Sequence, residues 1–321
     1  MTRSAIHALL PVFAVTAGLL GFAAVPRFEK VSDHCYYFQS KEETANVVAV
    51  VSDEGVLLVN PPADSEHSAL DAIRRLSTRP VRWVINTDYR LARSGGTDRF
   101  VEQGALLLGS RQIFELTETA RASVSAGVEQ PDRKIAGSDS TVHLMFQHQM
   151  RLFPGGTEVR VLAVQHKACT GGDVVVFVPS EKVLIVGNLF VEGRYPDIDS
   201  TPGGGSALGW LDAMKEVIDA VPLLKAAIPP KIPPKAEVKP GEEKSLEESI
   251  IVISAHGPQA NLQDMKDLLD AAHKLRGETA KAVSAGRELD SFLTSPALEP
   301  FRSYEGFVPF VRQLFDELPK K

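Results

Sequence analysis

The residue types that most often carry chemistry are thinly spread along these 321 residues. The two cysteines, Cys35 and Cys169, stand far apart and lack the short spacing of a metal-binding pair. They read as two free, partly buried thiols, with a disulfide as the alternative that nothing local supports. The glycine run Gly203-Gly204-Gly205 is followed by Ser206 and Ala207 rather than by Lys and Ser or Thr, so a Walker loop is excluded. No Gly-x-Ser-x-Gly elbow occurs, and no other arrangement of Asp, His and Ser suggests an activated nucleophile. Composition narrows the partners instead. A net charge of -6 argues against a nucleic acid or an anionic membrane surface, since either favours a basic face.

Any site must be positioned by elements that alternate between β and α. Val47 to Val51 and Val56 to Val59 are β-branched runs around Ser52-Asp53-Glu54-Gly55, a hairpin stopped by Asn60-Pro61-Pro62. The spacing of Leu70, Ile73 and Leu76 predicts a helix over 65–76. A strand follows at 81–86, a short helix at 95–101, a strand at 105–108 and a polar-faced helix at 111–123. The second half opens with paired strands near 141–146 and 150–153, then a strand at 159–164. A second apolar hairpin spans 174–178 and 183–186 around Pro179-Ser180-Glu181. A helix over 207–220, a strand over 250–253 and a helical C-terminal part complete the order. This order suits two sheets packed face to face with helices outside, although pattern alone does not choose that over a doubly wound sheet.

Two segments fall outside this rhythm. No charged residue occurs between Arg3 and Arg27, and the stretch reads as a secretory signal at 1–25. An uncleaved anchor formed by residues 4–26 is the alternative. In either case the segment engages the export machinery or the membrane, and the rest of the chain is expected to be periplasmic or secreted. Residues 228–248 hold Pro229, Pro230, Pro233, Pro234 and Pro240 among many Lys and Glu, as expected of an exposed extended loop.

Four blocks, in order, resemble the metallo-β-lactamase superfamily. Pro80-Val-Arg-Trp-Val-Ile-Asn-Thr87 with Asp88-Tyr-Arg-Leu-Ala-Arg-Ser-Gly-Gly96 is similar to the strand ending in Asn-Thr before the motif H-x-H-x-D-H. Ala168-Cys-Thr-Gly-Gly-Asp173, and then Val183-Leu-Ile-Val-Gly-Asn188, resemble the segments that carry the third His and the bridging Asp. Ser254-Ala-His-Gly-Pro258 resembles the last ligand loop, usually G-H-G. With Ala45 to Pro62 the likeness runs from about Phe28 to Glu317. It implies an α/β fold, the four-layer αβ/βα sandwich, in one domain over 28–321 with the loop at 228–248 as an insertion.

The resemblance also locates the family's metal ligands and shows most of them replaced. The motif positions are Asp88, Arg90, Ala92 and Arg93. The downstream His position is Cys169, the bridging Asp position is Asn188, and only His256 is kept. Arginine carries a permanent charge and offers no lone pair, so Arg90 and Arg93 would repel a dication. Without a metal pair there is no Lewis acid and no metal-bound water of lowered pKa, the basis of the family's hydrolysis. No cofactor is therefore expected. The alternative is one zinc held by Asp88, Cys169 and His256, a chemically competent trio.

Two readings of the arginines follow. Arg90 and Arg93 could replace the lost positive charge and hold a carboxylate or phosphate by bidentate hydrogen bonds. Alternatively, one or both pair internally with Asp88 or another acid and hold the loop shut. Tyr89 and Trp210 are candidate pocket-lining residues, with a core role the plainer one for Trp210. The function expected is an exported, non-hydrolytic pseudoenzyme that binds a small anion or an envelope protein. The alternative is a mononuclear-zinc or metal-independent hydrolase of esters, thioesters or lactams. A scaffold whose Pro-rich loop recruits a partner is a third class.

Overall fold

The computed structural model describes residues 27–38, 46–61, 68–125, 142–199, 204–226 and 250–320. The expected signal or anchor and the Pro-rich loop at 228–248 lie outside the described residues. Among the described residues no helix is long and apolar enough to cross a membrane.

Apolar runs without polar alternation suit strands covered on both faces, and both central hairpins are built from them. In the first sheet β1 (Glu29–Lys30), β2 (Cys35–Phe38), β3 (Val47–Val51) and β4 (Val56–Val59) pair antiparallel in chain order. Helix α1 (Ser68–Leu76) then crosses over to β5 (Val81–Ile85), parallel to β4. The sheet ends with β6 (Leu106–Ser110) and β7 (Leu144–Phe146), again parallel. Short helices α2 (Leu91–Ser94) and α3 (Thr97–Val101) follow β5, and α4 (Arg111–Ser125) follows β6.

The second sheet repeats the plan. β8 (Gln149–Leu152), β9 (Val159–Ala163), β10 (Val174–Val178) and β11 (Val183–Gly187) are antiparallel. Helix α5 (Ala207–Ala226) leads to β12 (Ile251–Ser254), which lies parallel to β11, and β13 (Ala260–Asn261) forms the edge. Helices α6 (Leu262–Ser284), α7 (Leu289–Leu293) and α8 (Phe307–Glu317) close the chain.

Side-chain alternation builds the layers. Val48, Val50, Val174, Val176 and Val178 meet between the sheets with Leu57, Ile85, Leu108 and Ile185. Val47 and Ala49 turn outward with Leu58 and Val84, packed by Leu70 and Ile73 of α1 and by Phe100. Val175, Phe177 and Leu184 lie beneath Trp210, Met214 and Met265 of α5 and α6 and Phe310 of α8. The result is helix, sheet, sheet, helix: an αβ/βα sandwich of the class expected. Trp210 is fully buried in this outer core and donates its indole N–H to Leu189 O at 2.7 Å.

Two expectations are corrected, and one helix is added. The strands near 141–146 and 150–153 are not paired with each other. β7 completes the first sheet beside β6, whereas β8 begins the second beside β9, so the chain passes between sheets in the two residues separating them. The short helix expected over 95–101 is present as α3, and it is preceded by an unexpected turn of helix, α2, where Arg93 N–H donates to Arg90 O at 2.9 Å. α5 continues past Ala220 to Ala226 with Pro222 inside it. The buried Val217, Ile218 and Val221 hold that last part against the sheet, outweighing the hydrogen bond that the proline removes.

Candidate functional site

The loops that follow β5, β9, β11 and β12 converge at one end of the sandwich. Asn60, at φ 58°, ends β4 in the left-handed region that asparagine tolerates better than most residues. Its side-chain oxygen accepts from the Thr87 backbone N–H (2.8 Å) and hydroxyl (3.0 Å). Thr87 O accepts from Val174 N–H at 2.8 Å, which ties the loop after β5 to β10. Gly187 faces the same threonine at φ 58°, and a Cβ there would stand 2.4 Å from Thr87 Oγ1. These contacts fix the backbone immediately before Asp88.

The loop after β12 is held from the opposite sheet. The Asn46 amide donates to Ser254 O and Gly257 O, both at 3.0 Å, and Tyr37 Oη donates to Gly257 O at 2.7 Å. His256 sits between these anchors, with no hydrogen bond from its ring to a described residue. Gly205 lets the N-terminal end of α5 press on the Cys169 segment, since a Cβ there would lie 2.2 Å from Ala168 O.

Asp88 is fully buried and is the hub of the cluster. Its Oδ1 accepts from Arg90 N–H at 2.8 Å. Its Oδ2 accepts from both Arg90 Nε (3.1 Å) and Nη2 (2.9 Å), and lies 3.4 Å from Arg93 Nε without a hydrogen bond between them. Burial opposes ionisation, but the charges of Arg90 and Arg93 prevail and hold the carboxyl below its usual range. Arg90 has a second partner in Asp197 (3.3 Å), whose side chain is 87% exposed.

Arg93 is placed differently. It is only 5% exposed, its Nε makes no hydrogen bond, and its one partner is the Oδ2 already gripped by Arg90. Burial and the neighbouring Arg90 pull its pKa down, although Asp88 works against this. Near it, burial and then the charges of Arg93, Arg194 and Arg90 push His256 down to about 4, so the ring is neutral at pH 7. Arg194 is itself paired with Glu305 through Nε at 2.9 Å.

Cys169 is fully buried, and its S–H donates to Asn188 O at 3.1 Å. Burial, with Asp173 next, raises the thiol well above its ordinary range. Cys169 and Cys35 are both free. Ala92 contributes only a methyl group. Tyr89 is buried and hydrogen-bonds to Asp199, closing one side of the cluster. Asp173 has no role assigned from sequence. It accepts from Thr170 N–H at 2.8 Å, and burial followed by the charge of Asp88 pushes it up to about 7. Its signal was the Thr-Gly-Gly-Asp string, whose acid gains meaning only once buried beside Asp88.

A metallo-beta-lactamase from Pontibacter korlensis matches this structure with a TM-score of 0.54 at 16% identity, over 77% of this chain and 99% of its own. The DIM-1 metallo-beta-lactamase gives 0.52 at 15% identity, over 77% of this chain and 97% of its own. This chain has the metallo-β-lactamase fold. A double mutant of the sec-alkyl sulfatase PisA1 gives 0.62 at 14% identity and covers 91% of this chain, which spans 50% of the sulfatase. No family model matches the chain, and no curated protein matches it.

Within the metallo-β-lactamase fold, the donor chemistry here does not fit the metal centre that the fold implies. Guanidinium groups stand at two of the positions that the resemblance assigns to ligands, and both oxygens of Asp88 are committed to Arg90. Cys169 is held as a thiol donating to a carbonyl, where a metal needs a thiolate. The candidate trio Asp88, Cys169 and His256 meets the same obstacles. Among the described residues no group of three or more His, Cys, Asp or Glu is placed to hold a metal ion.

Proposed function

We propose that this protein is a non-hydrolytic member of the metallo-β-lactamase fold that binds a small oxyanion where that fold otherwise carries metal. The observation behind this reading is Arg93, a buried guanidinium that shares one carboxylate with Arg90 and hydrogen-bonds to nothing described. A buried cation without full compensation is costly, and an anion is the ligand that relieves it. Arg90 serves a different purpose, because Asp88 and Asp197 already engage it. The anion-binding role therefore narrows to Arg93, with the His256 ring, which has no hydrogen-bond partner among the described residues, as the neighbouring donor.

Export belongs to the same proposal, with residues 1–25 as the signal and an envelope protein as the alternative partner. The hydrolase alternative requires a metal or an activated nucleophile. Elemental analysis of protein produced with added zinc and purified without chelators separates the two readings. About one zinc per chain, lost in Cys169→Ala or His256→Ala, would replace the present reading with the mononuclear enzyme.

The direct test is thermal unfolding of the full chain across a panel of sodium salts at fixed ionic strength. A ligand that binds only the native state stabilises it by about 2.7 kcal/mol at a hundred times its Kd. The expected result is an oxyanion-dependent rise in Tm that is absent in Arg93→Gln. Equal rises in both proteins would remove the proposal.

A further inference from the structure

Of the carboxylates around the two arginines, Asp197 is held least firmly. Asp88 is fully buried and takes Nε and Nη2 of Arg90, at 3.1 and 2.9 Å. Nη1 is left to Asp197, which accepts from it through Oδ2 at 3.3 Å and through its backbone carbonyl at 3.4 Å. Both are long beside the about 2.7–2.9 Å of a strong charge-assisted bond. The Asp197 side chain is 87% exposed, so water competes for it, and an exposed ion pair contributes little. The same carboxylate reaches further into the cluster. Burial works against the charge on Arg93, and Asp197 stands with Asp88 among the carboxylates that favour it.

The backbone that carries Asp197 is fixed on both sides. Tyr195 N–H donates to Glu305 O at 2.8 Å, and its buried ring stacks on Phe310 with centroids 4.8 Å apart. Pro196 is buried as well. Beyond Asp197, Asp199 N–H donates to Cys169 O and Asp199 O accepts from Gly205 N–H, both at 2.8 Å, while its side chain accepts from Tyr89 Oη. Between these anchors Asp197 is the exposed residue. The segment is held, and what is free to move is the carboxylate. Rotation about its own side-chain bonds is fast for an exposed residue and breaks only the long contact to Nη1.

We infer that Asp197 is an internal competitor for the anion site, given the reading of that site above: its carboxylate guards the solvent side of the Arg90 and Arg93 pair and rotates out when an external oxyanion enters. With Asp197 in place the binding role falls to Arg93. Once it leaves, Nη1 of Arg90 faces the ligand as well. Nε and Nη2 stay with Asp88, so the buried pair is not broken. A carboxylate tethered beside the site competes at a constant, high local concentration. It therefore sets a threshold, because the ligand must hold the guanidinium groups better than one long, solvated ion pair does. The contact limits affinity for every oxyanion and does not sort them by shape.

The test is isothermal titration of the full chain with sodium sulfate and, separately, sodium phosphate, at pH 7 and fixed ionic strength. Wild type is compared with Asp197→Asn, which keeps the size of the side chain and removes the competing charge. The variant should bind both salts about three- to fivefold more tightly, the scale of one exposed ion pair. Binding seen in Asp197→Asn but not in wild type supports the competitor in the same way. Asp219→Asn controls for net charge. Asp219 is exposed, pairs with Lys215 and stands roughly 18 Å along α5 from Ala207, so its change should leave both affinities at the wild-type value. An Asp197→Asn affinity equal to or below that of wild type, or a rise that Asp219→Asn reproduces in full, would overturn the competitor and leave the anion site standing. If neither salt binds wild type or Asp197→Asn, or if Arg93→Gln binds both as wild type does, the anion-site reading fails and the competitor with it. Asp197→Ala repeats the comparison without an amide, and circular dichroism confirms that each variant is folded.

Discussion

Removing Arg90 leaves the buried Asp88 carboxylate facing a single guanidinium at 3.4 Å, whereas removing Arg93 leaves its best pairing intact. The two arginines should therefore differ in stability effect as well as in ligand role. Arg90→Ala should cost about 3 kcal/mol, the scale of breaking a buried pair, and Arg93→Gln less than about 1 kcal/mol without ligand. Urea unfolding of both variants checks this, and equal losses would contradict the unequal partnership. Asp173 carries a pH signature. Its folded pKa of about 7 exceeds the ordinary carboxylate value, so folding favours its protonated form. That stabilisation is complete below about pH 4 and is lost as the pH rises through 7. Asp173→Asn keeps an acceptor for Thr170 N–H and removes the titration. It should raise Tm at pH 8 and change it little at pH 4, and an equal shift at both would count against the assignment.

At the scale of elements, the site depends on how helices and strands are ended. The N-terminal end of α5 is satisfied from the far end of the chain. Glu317, the last residue of α8, accepts from Ser206 Oγ (2.7 Å) and from the backbone N–H groups of Ala207 (2.8 Å) and Leu208 (2.9 Å). A carboxylate there also meets the positive end of the helix dipole. Glu317→Ala should lower stability by about 2 kcal/mol, measured by chemical denaturation, because it orphans two backbone donors and the dipole contact together. Because α5 begins against Ala168 and Cys169, the same change should loosen that loop. A stability loss below about 0.5 kcal/mol would mean that water caps the helix equally well.

At the scale of the molecule, the site is a junction between two sheets, and its parts come from both. Asn46, just before β3 in the first sheet, reaches across: its backbone N–H donates to Ala255 O at 2.7 Å while its side-chain amide donates to Ser254 O and Gly257 O in the loop after β12. Asn46→Ala removes the side-chain part of this clasp. It should cost about 2 kcal/mol and weaken oxyanion binding several-fold, since His256 rides on the clasped loop. Unfolding and titration of the same variant check both. Lost stability with unchanged affinity would show that the His256 loop holds its place without the clasp.

Most of the fold was legible because its strands are long apolar runs that only two-sided burial explains. Val47 to Val51 and Val174 to Val178 announced buried strands, and their intervening helices announced parallel crossovers. The separation of β7 from β8 was not legible, because two short strands a few residues apart read as a hairpin until their partners are known. The unsuitability of Arg90 and Arg93 as metal donors was also written in residue types, since an arginine cannot ligate wherever the fold puts it. The difference between Arg90 and Arg93 was not. Both are arginines on one short loop, three residues apart, and local sequence treats them alike. Only the tertiary structure buries Asp88, turns both of its oxygens to Arg90 and leaves Arg93 with a share of one. The same burial made Asp173 a titrating group near neutrality and His256 a neutral ring. Charge type is a property of the side chain, but its balance is a property of everything packed around it.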